Sequence, residues 1–228
     1  MVEVYLCKLP HLLQQKELNF LLQGVSQQKK EKVSKLYHLS DKYRTTLGEL
    51  LVRFLYKKKH PSQPMCTFTQ NAYGKPYIKE NLSSCFFNIS HSGEWVACAF
   101  HDREVGVDIE EIKDKQEDVA KIAFTSEEYE RIMKEDKEYF YELWASKESY
   151  VKAVGKGFTI SPDTISVKRN DEGATFVCEK ERHEIQDFFC KIYDLEEYKL
   201  AVCAERTSKE EFLPPVVVSF AEILSFLT

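Results

Sequence analysis

The chain of 228 residues predicts an α+β fold of two similar-sized lobes meeting near residue 104. Three observations predict it. Stretches of helical period fill most of the residues up to about 60 and return after Ile112. Strand-like runs bounded by turn residues follow each helical zone. With 43% hydrophobic and 13% aromatic residues the chain has ample side chain for a core, and no repeat, low-complexity tract or long linker separates the halves. The expected division is 1–104 and 105–228, each with helices and a meander of strands.

Taken in order, "MVEVYLCKLP" alternates as a strand does. "HLLQQKELNFLLQGV" carries Leu12, Leu13, Phe20, Leu21 and Leu22 at near-helical spacing, "SQQKKEKVSKLY" opens on Ser26 as a cap, and "SDKYRTTLGELLVRFLYKKKH" is a long amphipathic stretch closed by lysines. Two prolines in "HPSQPMCTF" break the pattern and "YGKP" marks a turn. "CFFNIS", "EWVACAF" and "EVGVDIE" read as strands. In "TSEEYERIM", Thr125 and Glu128 have capping-box spacing, and "YFYELWASKESYVKAVGKG" is an apolar-striped helix stopped by glycine. "TISVKR", "ATFVCEK", "DFFCKIYDL" and "YKLAVCAE" form an antiparallel set, with Asn170, Asp171 and Gly173 as one hairpin turn.

Composition narrows the function. A net charge of -5 and a pI near 5.8 provide no overall basic field for a dedicated nucleic-acid binder. The seven scattered cysteines include no C-x-x-C pair, so neither a disulfide framework nor a zinc knuckle is expected, and a reducing cytoplasm fits. The N-terminus lacks the pattern of a signal peptide, and no run reaches the roughly 18 apolar residues of a membrane span.

The chemistry gathers around "VGVDIEE". Strand alternation sends Val107 and Ile109 to one face and Asp108 and Glu110 to the other, about 6 to 7 Å apart, where their repulsion is about 2 to 3 kcal/mol at an effective dielectric near 20. On a wet surface that is tolerable; in a cleft it calls for a cation or a shifted pKa. On the later helix Trp144, Glu148 and Lys152 recur every four residues, with Val151 beside them. If Glu148 meets the two strand acids, three carboxylates offer oxygen ligands to a hard cation, Mg²⁺ first, and phosphate chemistry becomes the natural expectation. Ser90, His91 and Ser92 in "NISHSG", Lys75 in "YGKP", and Lys29 with Lys32 in "KKEK" are suitable phosphate-binding groups. Each has an ordinary reading alone, as a polar strand face, a helix ion pair or a solvated lysine run; their joint occurrence favours a site. A metal-dependent nuclease also uses D-x-E with a distant Glu and Lys, but Ile109 and Glu111 stand where its strand lysine would be.

The stretches "FNISHSGEWVACAF", "GVDIE" and "WASKESYVKAVGKG", the last fitting W-x-x-K-E-x-x-x-K-x-x-G-x-G, together with "YGKP" and "HLSDKYRTTLGELLVR", resemble the Sfp-type (surfactin-synthetase-activating) 4′-phosphopantetheinyl transferases over nearly the whole chain. The resemblance implies a pseudo-twofold fold, each lobe a small antiparallel sheet packed on helices, with coenzyme A and Mg²⁺ (Mn²⁺ as the alternative) in the cleft between them. It implies transfer of the phosphopantetheine arm of coenzyme A to a serine of an apo acyl or peptidyl carrier protein, with release of adenosine 3′,5′-bisphosphate, in settings such as nonribosomal peptide and antibiotic biosynthesis. Asp108, Glu110 and Glu148 would then be the metal-site acids, Glu148 also the base for the carrier serine, and Lys152 the pyrophosphate contact. Lys29, Lys32, Arg44, Lys75, Pro76, Ser90 and His91 would contact coenzyme A. A non-catalytic coenzyme A or nucleotide-binding module is the alternative, disfavoured by the intact acids and Lys152. Apolar residues interleaved with lysines after the metal strand predict carrier docking from Ile112 through Phe124 and Tyr129, with Lys113, Lys115 and Lys121 facing an acidic helix. Two fused lobes can build one complete cleft, so a monomer is expected.

Overall fold

In the computed structural model, residues 1–80, 85–170, 172–205 and 212–228 are described. The elements run β1 (Glu3–Lys8), α1 (Gln15–Leu21), α2 (Gln27–Ser34), α3 (Leu39–Lys59), β2 (Phe68–Gln70), β3 (Pro76–Ile78), β4 (Phe86–Ser92), β5 (Trp95–His101) and β6 (Val105–Glu111). There follow α4 (Glu117–Ala123), α5 (Ser126–Lys134), α6 (Lys137–Val154), β7 (Ile165–Asn170), β8 (Gly173–Cys178), β9 (His183–Leu195), β10 (Tyr198–Glu205), β11 (Val216–Val217) and α7 (Phe220–Phe226).

The local signals act where the sequence places them. Ser26 Oγ accepts from the Lys29 amide at 3.2 Å, and Thr125 and Glu128 close a reciprocal capping box. Gly155, with φ +70°, ends α6 in the left-handed conformation that glycine adopts without strain. The β7–β8 turn is held by Asn170 Oδ1, which accepts from the amides of Glu172 and Gly173; Asp171, expected in that turn, lies outside the described residues.

Two sheets stack between two long helices. The first has strand order β11-β1-β5-β4 and the second β6-β10-β9-β8-β7, the latter antiparallel throughout. Strand alternation sorts the cores. Cys7, Val96, Cys98 and Phe100 face α3, where Leu47, Leu50, Leu51 and Leu55 complete one core. Val4, Leu6, Ala97 and Ala99 turn the other way and meet Val107, Ile109, Leu200 and Val202 between the sheets. On the far side Ala145, Tyr150 and Ala153 of α6 cover Phe176, Cys190, Ala201 and Cys203. Residues 106 and 153 come close because Gly106 has no Cβ; one there would lie 2.0 Å from the Ser149 carbonyl oxygen.

Sheet membership departs from the expected division at the C-terminus. Residues 216–217 pair in parallel with β1, at Tyr5↔Val216 and Leu6↔Val217, and Ile223 of α7 is buried against the α3 core. The open edge of β1 and the apolar side of α3 together draw the chain end back onto the first sheet. Among the described residues, no helix is long and apolar enough to cross a membrane.

Candidate active site in the cleft

The seam between β4 and β6 is closed by side chains rather than by ladder bonds. Asn88, Ser90 and Ser92 project from one side of β4 at period two. Asn88 Oδ1 accepts from the Val107 amide at 3.0 Å, Ser90 Oγ donates to Asp108 Oδ1 at 2.8 Å, and Ser92 Oγ donates to Glu110 Oε2 at 3.2 Å. This is the structural meaning of "NISHS": its short polar residues hold the acidic face of β6.

That face looks toward α6, as the alternation predicts, because Val107 and Ile109 are buried between the sheets. Lys152 Nζ donates to Asp108 Oδ1 at 2.5 Å, to Ser90 Oγ at 3.1 Å and to the Val107 carbonyl at 3.3 Å. Trp144 Nε1 donates to Glu110 Oε1 at 3.1 Å, an anchor that the four-residue spacing located without revealing its partner. Burial pushes the Asp108 carboxyl up against the opposing pull of Lys152 and Ser90. Glu110 is pushed up to about 7 by burial and by the Asp108 charge, and Glu148 is raised by burial and by Asp108 while Lys152 opposes.

The donor set suits a hard divalent cation. Asp108 Oδ2 is buried without a hydrogen-bond partner among the described residues, and the acids facing it offer oxygen only. Among the described residues, the carboxylate oxygens of Asp108, Glu110 and Glu148 do not all lie within 4.8 Å of one another, so the acids face one another without being drawn together.

A cavity of about 530 Å³ opens beside this face, lined by Glu148 and Lys152, by Pro76 and Ile89 across the cleft, and by the apolar Val119 and Ile122. A second, of about 390 Å³, shares Gly74, Pro76 and Ile89 with it and reaches Lys29 and Lys32. The two adjoin along these shared residues, so that Glu148 and Lys152 lie at one end of the pair and Lys29 and Lys32 at the other. Burial lowers the pKa of Lys29, partly offset by Glu49. Arg44 is tied to Asp41 and to the Gly93 carbonyl, each at 2.5 Å. His91 is exposed on β4 next to Ser90, and surrounding protein and the charges of Arg44, Lys152 and Lys32 lower its pKa.

Three sequence expectations meet a different environment. The Lys75 ammonium does not point free into the groove: it is buried, donating to Glu104 at 2.5 Å, to the Ala153 carbonyl at 2.7 Å and to the Val105 carbonyl at 3.2 Å, and so joins the turn before β3 to the second sheet and α6. Phe124 is 4% exposed and packs against Phe140 and Trp144, so it is core rather than docking surface. Lys115 is spent on the carbonyls of Ile132 and Glu135 at the end of α5. Ile112 is half-buried on the same aromatic core, whereas Lys113 and Lys121 are exposed and Ile122 is 72% exposed. Sequence reasoning passed over Lys147, next to Glu148; it is buried and donates to Glu128 at 2.6 Å and to the carbonyls of Pro162 and Ala123 at 3.0 and 3.1 Å. A lysine on an apolar-striped helix was the available signal.

Residues 104–203 match the family model described as 4′-phosphopantetheinyl transferase superfamily, and residues 13–103 match one described as 4′-phosphopantetheinyl transferase, N-terminal. The chain is similar to a 4′-phosphopantetheinyl transferase of Bacillus subtilis, 40% identical over 190 residues covering 81% of this chain and 84% of the relative. It is also similar to 4′-phosphopantetheinyl transferase Sfp of Bacillus subtilis strain 168, 34% identical over 98% of this chain and 100% of the relative, and to 4′-phosphopantetheinyl transferase ffp of Bacillus subtilis, 35% identical over the same shares.

Proposed function

The chain belongs to the 4′-phosphopantetheinyl transferase superfamily and is such a transferase, and we propose that it carries out the transfer in the cleft between β6, α6 and the turn before β3. Coenzyme A is the donor and an apo carrier protein the acceptor. The observation that carries the assignment of the site is the buried, unpartnered Asp108 Oδ2 beside Lys152 at the wall of that cleft.

In the proposed reaction a carrier serine oxygen forms a bond to the phosphorus next to the pantetheine arm, and the bridging bond of the pyrophosphate breaks. Adenosine 3′,5′-bisphosphate leaves with the electron pair. Glu148 takes the serine proton, directly or through water, a role favoured by its raised pKa. Lys152 turns its ammonium to the pyrophosphate, where a positive charge stabilises the oxygens that gain charge. Asp108, Glu110 and Glu148 would hold Mg²⁺, with Mn²⁺ as the alternative, and the ion would neutralise pyrophosphate charge. Ser90 and Trp144 fix the acids in place.

The groove toward Lys29 and Lys32, with Pro76 on its wall, takes the nucleotide end of coenzyme A, and His91 and Arg44 are assigned to its phosphates. Lys75 shapes that wall through its three bonds. Lys113, Lys121 and Ile122 form the exposed part of the docking surface for an acidic carrier helix. A cytoplasmic monomer serving peptidyl carriers of nonribosomal peptide or antibiotic synthesis is the setting proposed for it.

Intact-mass spectrometry of an apo-peptidyl carrier protein incubated with the chain, coenzyme A and Mg²⁺ tests the reading. The expected result is a phosphopantetheine mass increment that disappears with EDTA. An increment that survives EDTA removes the metal role, and no increment on peptidyl or acyl carriers leaves a coenzyme A-binding module.

A further inference from the structure

We propose that Cys178, Glu181 and His183 form a second metal site, selective for Zn²⁺, at the turn between β8 and β9. The backbone creates the cluster. In the antiparallel register Cys178 stands directly opposite His183, so their side chains leave the same face of the hairpin. The turn between them, residues 179–182, returns Glu181 to that face, and Arg182 takes φ +51° in doing so. Cys178 Sγ, a Glu181 oxygen and a His183 ring nitrogen all lie within 4.8 Å of one another, and His183 Nδ1 is 3.2 Å from Glu181 Oε2.

These positions suit tetrahedral zinc. Bonds of about 2.0 to 2.3 Å to nitrogen, oxygen and sulfur place neighbouring ligands about 3.3 to 3.7 Å apart, so side-chain torsions need close the cluster by only about 1 Å. The fourth position would hold water. The floor is apolar: the next pair inward on that face is Phe176↔Ile185, and Phe176 lies against Tyr150 with ring centroids 4.5 Å apart. Cys178 is half-buried at the edge of this core while Glu181 and His183 are exposed, so a cation enters from water onto a partly dry base.

The ligand chemistry separates this site from the cleft. A thiolate and an imidazole prefer zinc or cobalt to magnesium, whereas the cleft acids offer oxygen alone. Of the other cysteines, Cys7, Cys66, Cys98, Cys190 and Cys203 are buried and Cys85 is half-buried, and among the described residues only Cys178 stands in a cluster with other metal-ligating side chains. Bound zinc would clamp the β8–β9 turn at the edge of the core beneath α6.

The test uses the full chain in saturating Mg²⁺ with Co²⁺ as the spectroscopic probe. The expected result is a thiolate-to-cobalt charge-transfer absorption that one equivalent of Zn²⁺ displaces, that Cys178→Ser abolishes, and that Cys85→Ser and Asp108→Ala leave in place. His183→Gln should weaken Zn²⁺ binding at least about tenfold in competition with a chelating dye. Cys178→Ser should leave transfer to a carrier protein unchanged. No sulfur-to-cobalt absorption, or absorption that persists in Cys178→Ser, overturns the proposal; absorption that also needs Asp108 overturns it equally, because a site at this turn has no use for that residue.

Discussion

Lys147 and Lys152 sit on the same helix and carry the same ammonium, yet their surroundings give them opposite work. Five residues along an α-helix is a rotation of about 140°, enough to send one toward α5 and the other toward β6. The Lys147 side chain is 1% exposed and its three donors end on Glu128 and two carbonyl oxygens. Lys152 is 28% exposed, and the Asp108 oxygen it holds is also served by Ser90, while the other Asp108 oxygen has no hydrogen-bond partner among the described residues. Both lysines hold a buried carboxylate and main-chain oxygen, but Lys147 is enclosed on every side while Lys152 lines a cavity. At the edge of that cavity Lys152 can turn to an anion without stripping Asp108 of every contact. The comparison teaches that exposure at a cavity, and not the number of bonds made by a lysine or by its partner, separates a structural ammonium from one available to substrate, since Glu128 also accepts from the Thr125 and Val167 amides.

Changing the chemical face should cost the most. Glu148→Gln is expected to lower carrier modification by about 10²- to 10⁴-fold, the range of a positioned general base, with an unchanged urea midpoint. Retained transfer would break the assignment of that face. Lys147→Met, one residue away, should do the reverse. It leaves the buried Glu128 carboxylate uncompensated and should lower stability by about 3 to 5 kcal/mol in urea unfolding, while the folded fraction keeps near-normal turnover per molecule. A Lys147→Met protein of normal stability but without transfer would show that the two faces share the chemistry.

Much of this contrast was legible in the sequence, though unevenly. Period two in "GVDIEE" put Asp108 and Glu110 on one face, and spacing of four put Trp144, Glu148 and Lys152 on one stripe, because both rest on local backbone geometry. Long-range placement was not. Nothing local says that the Lys75 ammonium is taken by Glu104 and two carbonyls, that Lys115 caps α5, or that Phe124 turns inward against Trp144. Nor does a short "VVV" run near the end announce a parallel partner for β1, since that pairing depends on an open edge formed by distant residues. The side-chain seam at Asn88, Ser90 and Ser92 lay in plain sight as "NISHS", but its acceptors come from a strand in the other sheet.

His91 reports the charge of the cleft face at the smallest expected energy. Although His91 is exposed, the protein packed around it lowers its pKa below the ordinary 6.5, and the charges of Arg44, Lys152 and Lys32 push the same way, against a backbone hydrogen bond that favours the protonated ring. The unfolded chain therefore binds more protons here than the native one, and stability rises with pH in this window. The contribution is complete above pH 6.5 and is lost as pH falls through 6.5 toward the lower native value. His91→Gln removes it, so between pH 7.5 and 5.5 wild type should lose more urea stability than the variant, by less than the Lys147→Met effect. The imidazole titration followed by NMR makes the sharper measurement. Lys152→Met removes one of the repelling charges and should raise the His91 pKa, as should coenzyme A when its phosphates enter the groove. Lys147→Met should leave it where it is, because that ammonium is compensated by Glu128 on the other side of the helix. Equal movement in both lysine variants would mean that α6 passes charge or strain between its faces, and the division of labour between them would fail.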